Sequence, residues 1–339
     1  MAATSTAVAV RLLEKSPELI EWAGPEGFGL IVSFIWDAAK DDEEKALSYL
    51  SGESTTFSDF MDNIPKGMEL KTIKPVLSTY LRALLGRRVE IDEAKTVYTD
   101  GRKIYLPGRI RDFQDNQDNF RMYKVAATHQ EAHLEYGSYE FDLSKIVDLV
   151  NDLRERYCLT IQEDKSDMDK FAGLFPEAEL AQDLFNLMED FRIETILKKE
   201  YPALGDDIGE VNRHTMRKRR PPQKIINPKQ RTVEMIVQNL QAGTVFGDPE
   251  DPAVAVMQRA LPETRLLEEP DSDVHDSAAV AAKIYFLIEQ AFSEPYRTVR
   301  PSSRPLDQDM VSQNIGNFGT TSQNIHNRLQ GRTAPAGSR

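Results

Sequence analysis

Cysteine is almost missing from this chain. Among 339 residues there is one, Cys158, so no intrachain disulfide can close and no cysteine-based zinc site can be built. A reducing, cytoplasmic setting fits that composition. Positive charge is also in short supply: 42 Lys and Arg stand against 55 Asp and Glu, a net charge of -13. That balance argues against a general nucleic-acid-binding or anionic-membrane-binding surface. Long hydrophobic runs are lacking too. The most apolar early stretch, "GFGLIVSFIW" (Gly27 to Trp36), is followed by the acidic "DDEE" and reaches about half of a membrane span. It reads as a buried helix, with no basic leader and small-residue cleavage site before it. Neither G-x-x-x-x-G-K-[ST] nor G-x-S-x-G occurs, so ATP binding by a P-loop and a serine nucleophile elbow are not expected.

What the chain does have is 40% hydrophobic residues, ample for a core, and a helical period over most of its length. The expected fold class is mainly α with a small β-hairpin. Residues 1–95 read as a helical N-terminal region. Within it "SPELIEWAG" has Ser16 placed as an N-cap with Pro17 at the first helical position, and "MELKTIKPVLSTYLRALLGRR" has Gly86 where a C-cap belongs. Residues 96–299 read as a second helical domain that opens on a hairpin at 97–106: Asp100-Gly101 lies between the β-prone "TVYT" and "KIYL". The polar "RDFQDNQDN" reads as a loop leading into a helix.

Further helices are expected over "FDLSKIVDLVNDLRERYCL", "EAELAQDLFNLMEDFRIETILKKEYP", "RTVEMIVQNLQAG" and "SAAVAAKIYFLIEQAF". Pro202 is expected to stop the second of these. A basic connector, "RHTMRKRRPPQK" (Arg213 to Lys224), and a Pro- and Asp-rich segment (Asp248 to Asp276) would join the rest. The basic cluster there is read first as a solvated linker and second as a dock for an acidic partner. Residues 300–339 are a polar tail, expected to be disordered, with the near-repeat "SQNIGN" and "SQNIHN".

The segment that carries chemistry is "VAATHQEAHLEYGSY", in which two of the five histidines, His129 and His133, stand four residues apart. With about 100° per residue, His133 lies about 40° from His129, inside the apolar stripe of Met122, Val125, Ala126 and Tyr136. Glu131 and Glu135 fall about 200° and 240° around, on the expected solvated face. Two imidazoles one turn apart can hold one Zn²⁺ or similar ion with a third ligand from elsewhere. The hydrolytic form, H-E-x-x-H, places a glutamate base after the first histidine; here that residue is Gln130, which cannot take a proton at neutral pH.

For the third ligand, "NLMEDFRIE" offers Glu189 in the middle of a buried stripe. Glu189 is either the ligand or the salt-bridge partner of Arg192, three residues on. Asp190 and Glu194 lie further around the helix and read as outer or surface groups. His214, His275 and His326 have no neighbours at ligand spacing. The opposing reading of the pair is two hydrogen-bonded core histidines with no metal.

Hairpin, histidine helix and "LMEDFRIE" helix, in this order, resemble the N-terminal region of the NorD/CbbO family, the nitric-oxide-reductase and Rubisco activation proteins. "LRALLGRRVEI", "IYLPGRI", "AATHQEAHLEYGSYEF", "LFNLMEDFRIETILKKEYPALG" and "DSAAVAAKIYFLIEQAF" carry the likeness over most of residues 70 to 297. The resemblance implies a zincin-like, degenerate metallopeptidase-like core in residues 96–299. It implies His129, His133 and Glu189 as the metal trio, with Gln130, Asp190 and Arg192 around them and zinc in a structural role.

It also implies an adaptor partnered with a hexameric MoxR-type AAA+ ATPase in activating or metallating a target enzyme. Members carry a von Willebrand factor A domain with a D-x-S-x-S motif, and that motif is missing here. The expectation is therefore a short member or a fragment, serving its target through a missing or separate domain. Because of Gln130, no catalytic residue is expected. The alternative function is a zinc-dependent metallopeptidase with a non-standard active site.

Overall fold

The computed structural model describes residues 6–296 apart from 65–66, 100–101, 114, 160–164 and 244–246. Asp100-Gly101, His326 and the 300–339 tail lie outside the described residues. Helices dominate, with a few short strands among them.

The chain starts with a 36-residue helix, α1 (Thr6–Asp41), which runs through Ser16 and Pro17 where a new helix was expected to start. Proline has no N–H for the carbonyl four residues back. The Ser16 hydroxyl donates to that same oxygen, Leu13 O, at 2.8 Å, and the turn is kept. "GFGLIVSFIW" is the second half of α1, with Ile31 and Ile35 buried and Leu30 and Trp36 exposed. Asp42, the first aspartate after Lys40 and Asp41, caps α2 (Glu43–Ser51) by accepting from Lys45 N. With α3 (Thr55–Asp62) these helices close a first core around Val8, Leu12, Ile31, Ile35, Tyr49 and Phe57.

A second core follows. Strand β1 (Met68–Glu69) leads into α4 (Leu70–Leu85), which ends at Gly86 in the left-handed conformation as its sequence requires. Strands β2 (Glu90–Ala94), β3 (Tyr98–Thr99) and β4 (Lys103–Pro107) form one sheet in the order β2-β4-β3. The β3/β4 pair is the expected antiparallel hairpin, with Tyr98 opposite Tyr105 and Thr99 opposite Ile104. Strand β2 adds a parallel partner that its charged sequence, "EIDEA", did not announce. A boundary at 95/96 therefore passes through a sheet, and β2 and α4 belong with the hairpin. Strand β5 (Arg109–Ile110) pairs with β1. Their close approach requires Gly67, at φ 70, since a Cβ there would stand 2.5 Å from the Ile110 carbonyl oxygen.

Helix α5 (Asn116–Glu135) begins inside the expected loop, capped by Asp115, and carries the two histidines. Two short 3-10 turns lead to α6 (Val147–Tyr157), then α7 (Asp167–Ala172) and the 23-residue α8 (Ala178–Glu200). Pro202 ends α8 by starting the next helix, α9 (Pro202–Lys218), at its first turn.

The basic stretch is thus no linker. Arg213 and Lys218 belong to α9 and pair with Glu210 and Asp112, while Arg219 just beyond it pairs with Glu234. Helix α10 (Pro228–Ala242) has Asn227 and Gly243 as caps. The expected Pro- and Asp-rich connector contains α11 (Pro252–Ala260) and a 3-10 segment at Leu261–Glu268. In both places prolines sit at helix starts, where they cost no backbone bond. Helix α12 (Val274–Ala291) opens with an Asp273/Asp276 capping box and packs along α8. The third core, built on Phe171, Phe185, Met188, Ile284 and Tyr285, lies between them.

Candidate metal site

Helix α5 fills the second core with Met122, Tyr123, Val125, Ala126 and Ala127. The same packing that buries these residues also buries His129 and His133, at 1% and 0% exposure. Asp190 of α8 meets them there at 4%. The three ligand atoms all lie within 4.8 Å of one another. His129 Nε2 stands 3.0 Å from His133 Nε2. Asp190 Oδ1 stands 3.4 Å from the former and 3.2 Å from the latter.

Those distances test whether a metal fits. Four tetrahedral donors at about 2.0–2.1 Å from zinc are about 3.3 Å apart, so the three edges match one face of such a tetrahedron. Two imidazole nitrogens and one carboxylate oxygen suit zinc and the neighbouring transition metals better than magnesium or calcium, which prefer all-oxygen shells. The donor set and its geometry therefore fit a divalent cation.

Charge points the same way. Burial works to raise the Asp190 carboxyl, but hydrogen bonding and charge from His129 and His133 outweigh it and hold it below the usual range. Burial pulls the His133 ring below the ordinary imidazole range, against the opposing effect of Asp190. An ionised carboxylate beside a neutral imidazole is the protonation state that a metal takes.

Glu189, expected as the third ligand, is placed otherwise. Its Oε2 accepts from Arg192 Nε at 2.9 Å and Ser277 Oγ at 2.8 Å. Its Oε1 accepts from Arg192 Nη2 at 2.6 Å and from the Ser138 hydroxyl. Burial raises this carboxyl, yet Arg192, His133 and Ser138 bring it below its usual value. Arg192 is itself buried and also donates to Ser272 O and Tyr136 O, which ties the end of α5, the middle of α8 and the start of α12 together. The salt-bridge reading of Glu189 and Arg192 is the one the geometry realises, and Asp190, one residue on, meets the histidines. Ser138 and Ser277, which the sequence reading missed, complete the cluster; only their position after a helix end and in a helix first turn marked them.

The remaining expected residues divide. Glu135 is exposed as predicted, but Glu131 is 1% exposed and paired with Arg87; α4 and the segment after it cover that side of α5. Gln130 is fully buried, and both of its amide atoms lack a hydrogen-bond partner, an arrangement that costs about 1–3 kcal/mol unless something meets it. Glu194 is buried as well, bound to Lys198 and Asn212, and is not the surface group expected. His214 stacks on Phe113 and His275 accepts from Asp142 N at 3.1 Å, both away from the trio. No helix among the described residues is long and apolar enough to cross a membrane. Two surface clefts of about 550 and 260 Å³ lie elsewhere, one between α1 and α2 and the other at Gly67 to Thr72 with Arg109 and Asn116. No family model matches this chain, and no curated protein or solved structure matches it either.

Proposed function

We propose that this protein is a metal-dependent, non-enzymatic adaptor. In this reading a zincin-like site holds a divalent transition metal on His129, His133 and Asp190, and the surrounding helices dock on a MoxR-type AAA+ ATPase that acts on a target enzyme. The observation that carries the metal half is the near-equal spacing of three buried donor atoms, 3.0, 3.2 and 3.4 Å. The role without catalysis is supported by the depth of the trio and by Gln130 at the position of a hydrolytic base. The ATPase half is supported by the residue stretches that resemble the NorD/CbbO proteins.

Elemental analysis of the purified chain tests the first half: about one equivalent of zinc, cobalt or nickel is expected, and none would end it. Pull-down with a MoxR-type ATPase and stimulation of its ATP hydrolysis test the second half, and failure of both would end that. Proteolysis that disappears in His129→Ala would replace the adaptor with a peptidase.

A further inference from the structure

The metal reading leaves open why His133 should offer a lone pair and not a proton to its neighbours. A buried imidazole can carry its one proton on either nitrogen, and the partner of the other nitrogen decides which. His133 Nδ1 lies 2.9 Å from Ser138 Oγ. Ser138 has one proton to give, and Glu189 is the acceptor for it. Glu189 acts as acceptor in its other contacts too, taking two bonds from Arg192 and one from Ser277. With its own proton committed, Ser138 Oγ can only accept from His133, so the ring proton sits on Nδ1.

The consequence falls on the other side of the ring. His133 Nε2 then presents a lone pair to Asp190 Oδ1, 3.2 Å away. Two acceptors at that distance have no hydrogen between them and repel unless a cation lies between. The same Nε2 is 3.0 Å from His129 Nε2, so a cation placed to relieve the first contact is also within reach of the second ring. Backing of a metal-bound histidine through its distal nitrogen is a general device for orienting ligands.

We propose that Ser138 and Glu189 are positioning residues of the metal site. They hold the His133 proton on Nδ1, and a divalent transition-metal cation rather than a proton occupies the space between His133 Nε2, His129 Nε2 and Asp190 Oδ1. Arg192 and Ser277 keep Glu189 aimed at Ser138. The proposal rests on the metal reading above and adds the groups that make the trio selective for a cation.

The test uses the full chain, stripped with a chelator and titrated with Zn²⁺ against a chromophoric competitor and with Co²⁺ by visible absorption. Wild type is expected to bind one equivalent. Ser138→Ala should weaken Zn²⁺ binding about 10–100-fold and alter the Co²⁺ spectrum, while Ser138→Thr, which keeps the hydroxyl, should restore both. A hydroxyl with a merely structural role would change the melting temperature without moving the affinity or spectrum.

Imidazole ¹⁵N NMR of the metal-free wild type gives a readout that does not need the variant to fold. The His133 proton is expected on Nδ1, and finding it on Nε2, or on both nitrogens at neutral pH, overturns the proposal. Wild-type affinity in Ser138→Ala also overturns it while leaving the metal site standing. Absence of any binding by wild type ends the metal reading itself.

Discussion

The first three helices and the junction of α5, α8 and α12 handle polar groups in opposite ways. In α1 the charges sit in exposed pairs one turn apart, Arg11 with Glu14, Lys15 with Glu18 and Lys40 with Asp37, around an apolar core of aliphatic and aromatic side chains. At the junction an arginine, two carboxylates, two histidines and two serines are buried and joined in one network. Exposed pairs in water are worth little, whereas a buried charge must be matched or it destabilises the fold. The contrast separates a region held by packing alone from one whose packing is tied to a particular chemistry.

The sharpest way to break this contrast is Arg192→Ala, which leaves Glu189 buried without its cation. A loss of about 3–5 kcal/mol is expected in denaturant unfolding; a loss under 1 kcal/mol would mean that the buried network is not what holds α8 to α12. Next comes Ile31→Ala in the first core, expected to cost about 2–5 kcal/mol by cavity formation. Because that core is separate from the histidine core, metal stoichiometry should stay unchanged in this variant, and loss of the metal would show that the two regions are coupled. Asp190→Asn tests the choice of ligand: metal content should drop below a tenth of wild type, as measured by elemental analysis.

The pH dependence of the metal-free protein is a smaller effect. His133 is depressed from its ordinary 6.5 in the fold, so the unfolded chain binds more protons below that value. Stability is then present above about pH 6.5 and falls as the pH drops toward 5. Glu189 and Asp190, both held below their unfolded values, extend the loss as the pH falls further, through the carboxylate range. Thermal melts at pH 5, 6, 7 and 8 check this, and a protein more stable at 5 than at 7 contradicts it. Smallest is Arg11→Ala, whose exposed pair with Glu14 should change stability by no more than about 0.5 kcal/mol.

Much of the local structure was legible in the residues. Asp-Gly between β-prone runs marked β3 and β4, Gly86 ended α4, and Pro202 marked the α8/α9 joint, although the helix it starts was not foreseen. Those signals work because caps, turns and prolines act on the backbone within a few residues. Strand β2 was missed because its sequence shows no alternating apolar pattern, and its strand state depends on a parallel partner more than ten residues away. Helix α1 was divided wrongly at Ser16-Pro17, because the same dipeptide that starts helices can be carried inside one when the serine takes over the orphaned carbonyl. Glu131 was placed in water because periodicity reports how one helix is patterned and not what packs on its other side.

By itself the sequence determined that His129 and His133 share one helix face and that acids wait on a second buried helix. It could not say which acid turns toward the rings. Glu189 and Asp190 are adjacent and differ by about 100° around α8. That choice was made by the packing of α5 and α12 against α8, which sends Glu189 to Arg192, Ser138 and Ser277 and leaves Asp190 facing the histidines. Spacing along one helix is local, but a ligand set is closed by side chains from several, and only the folded chain brings those together.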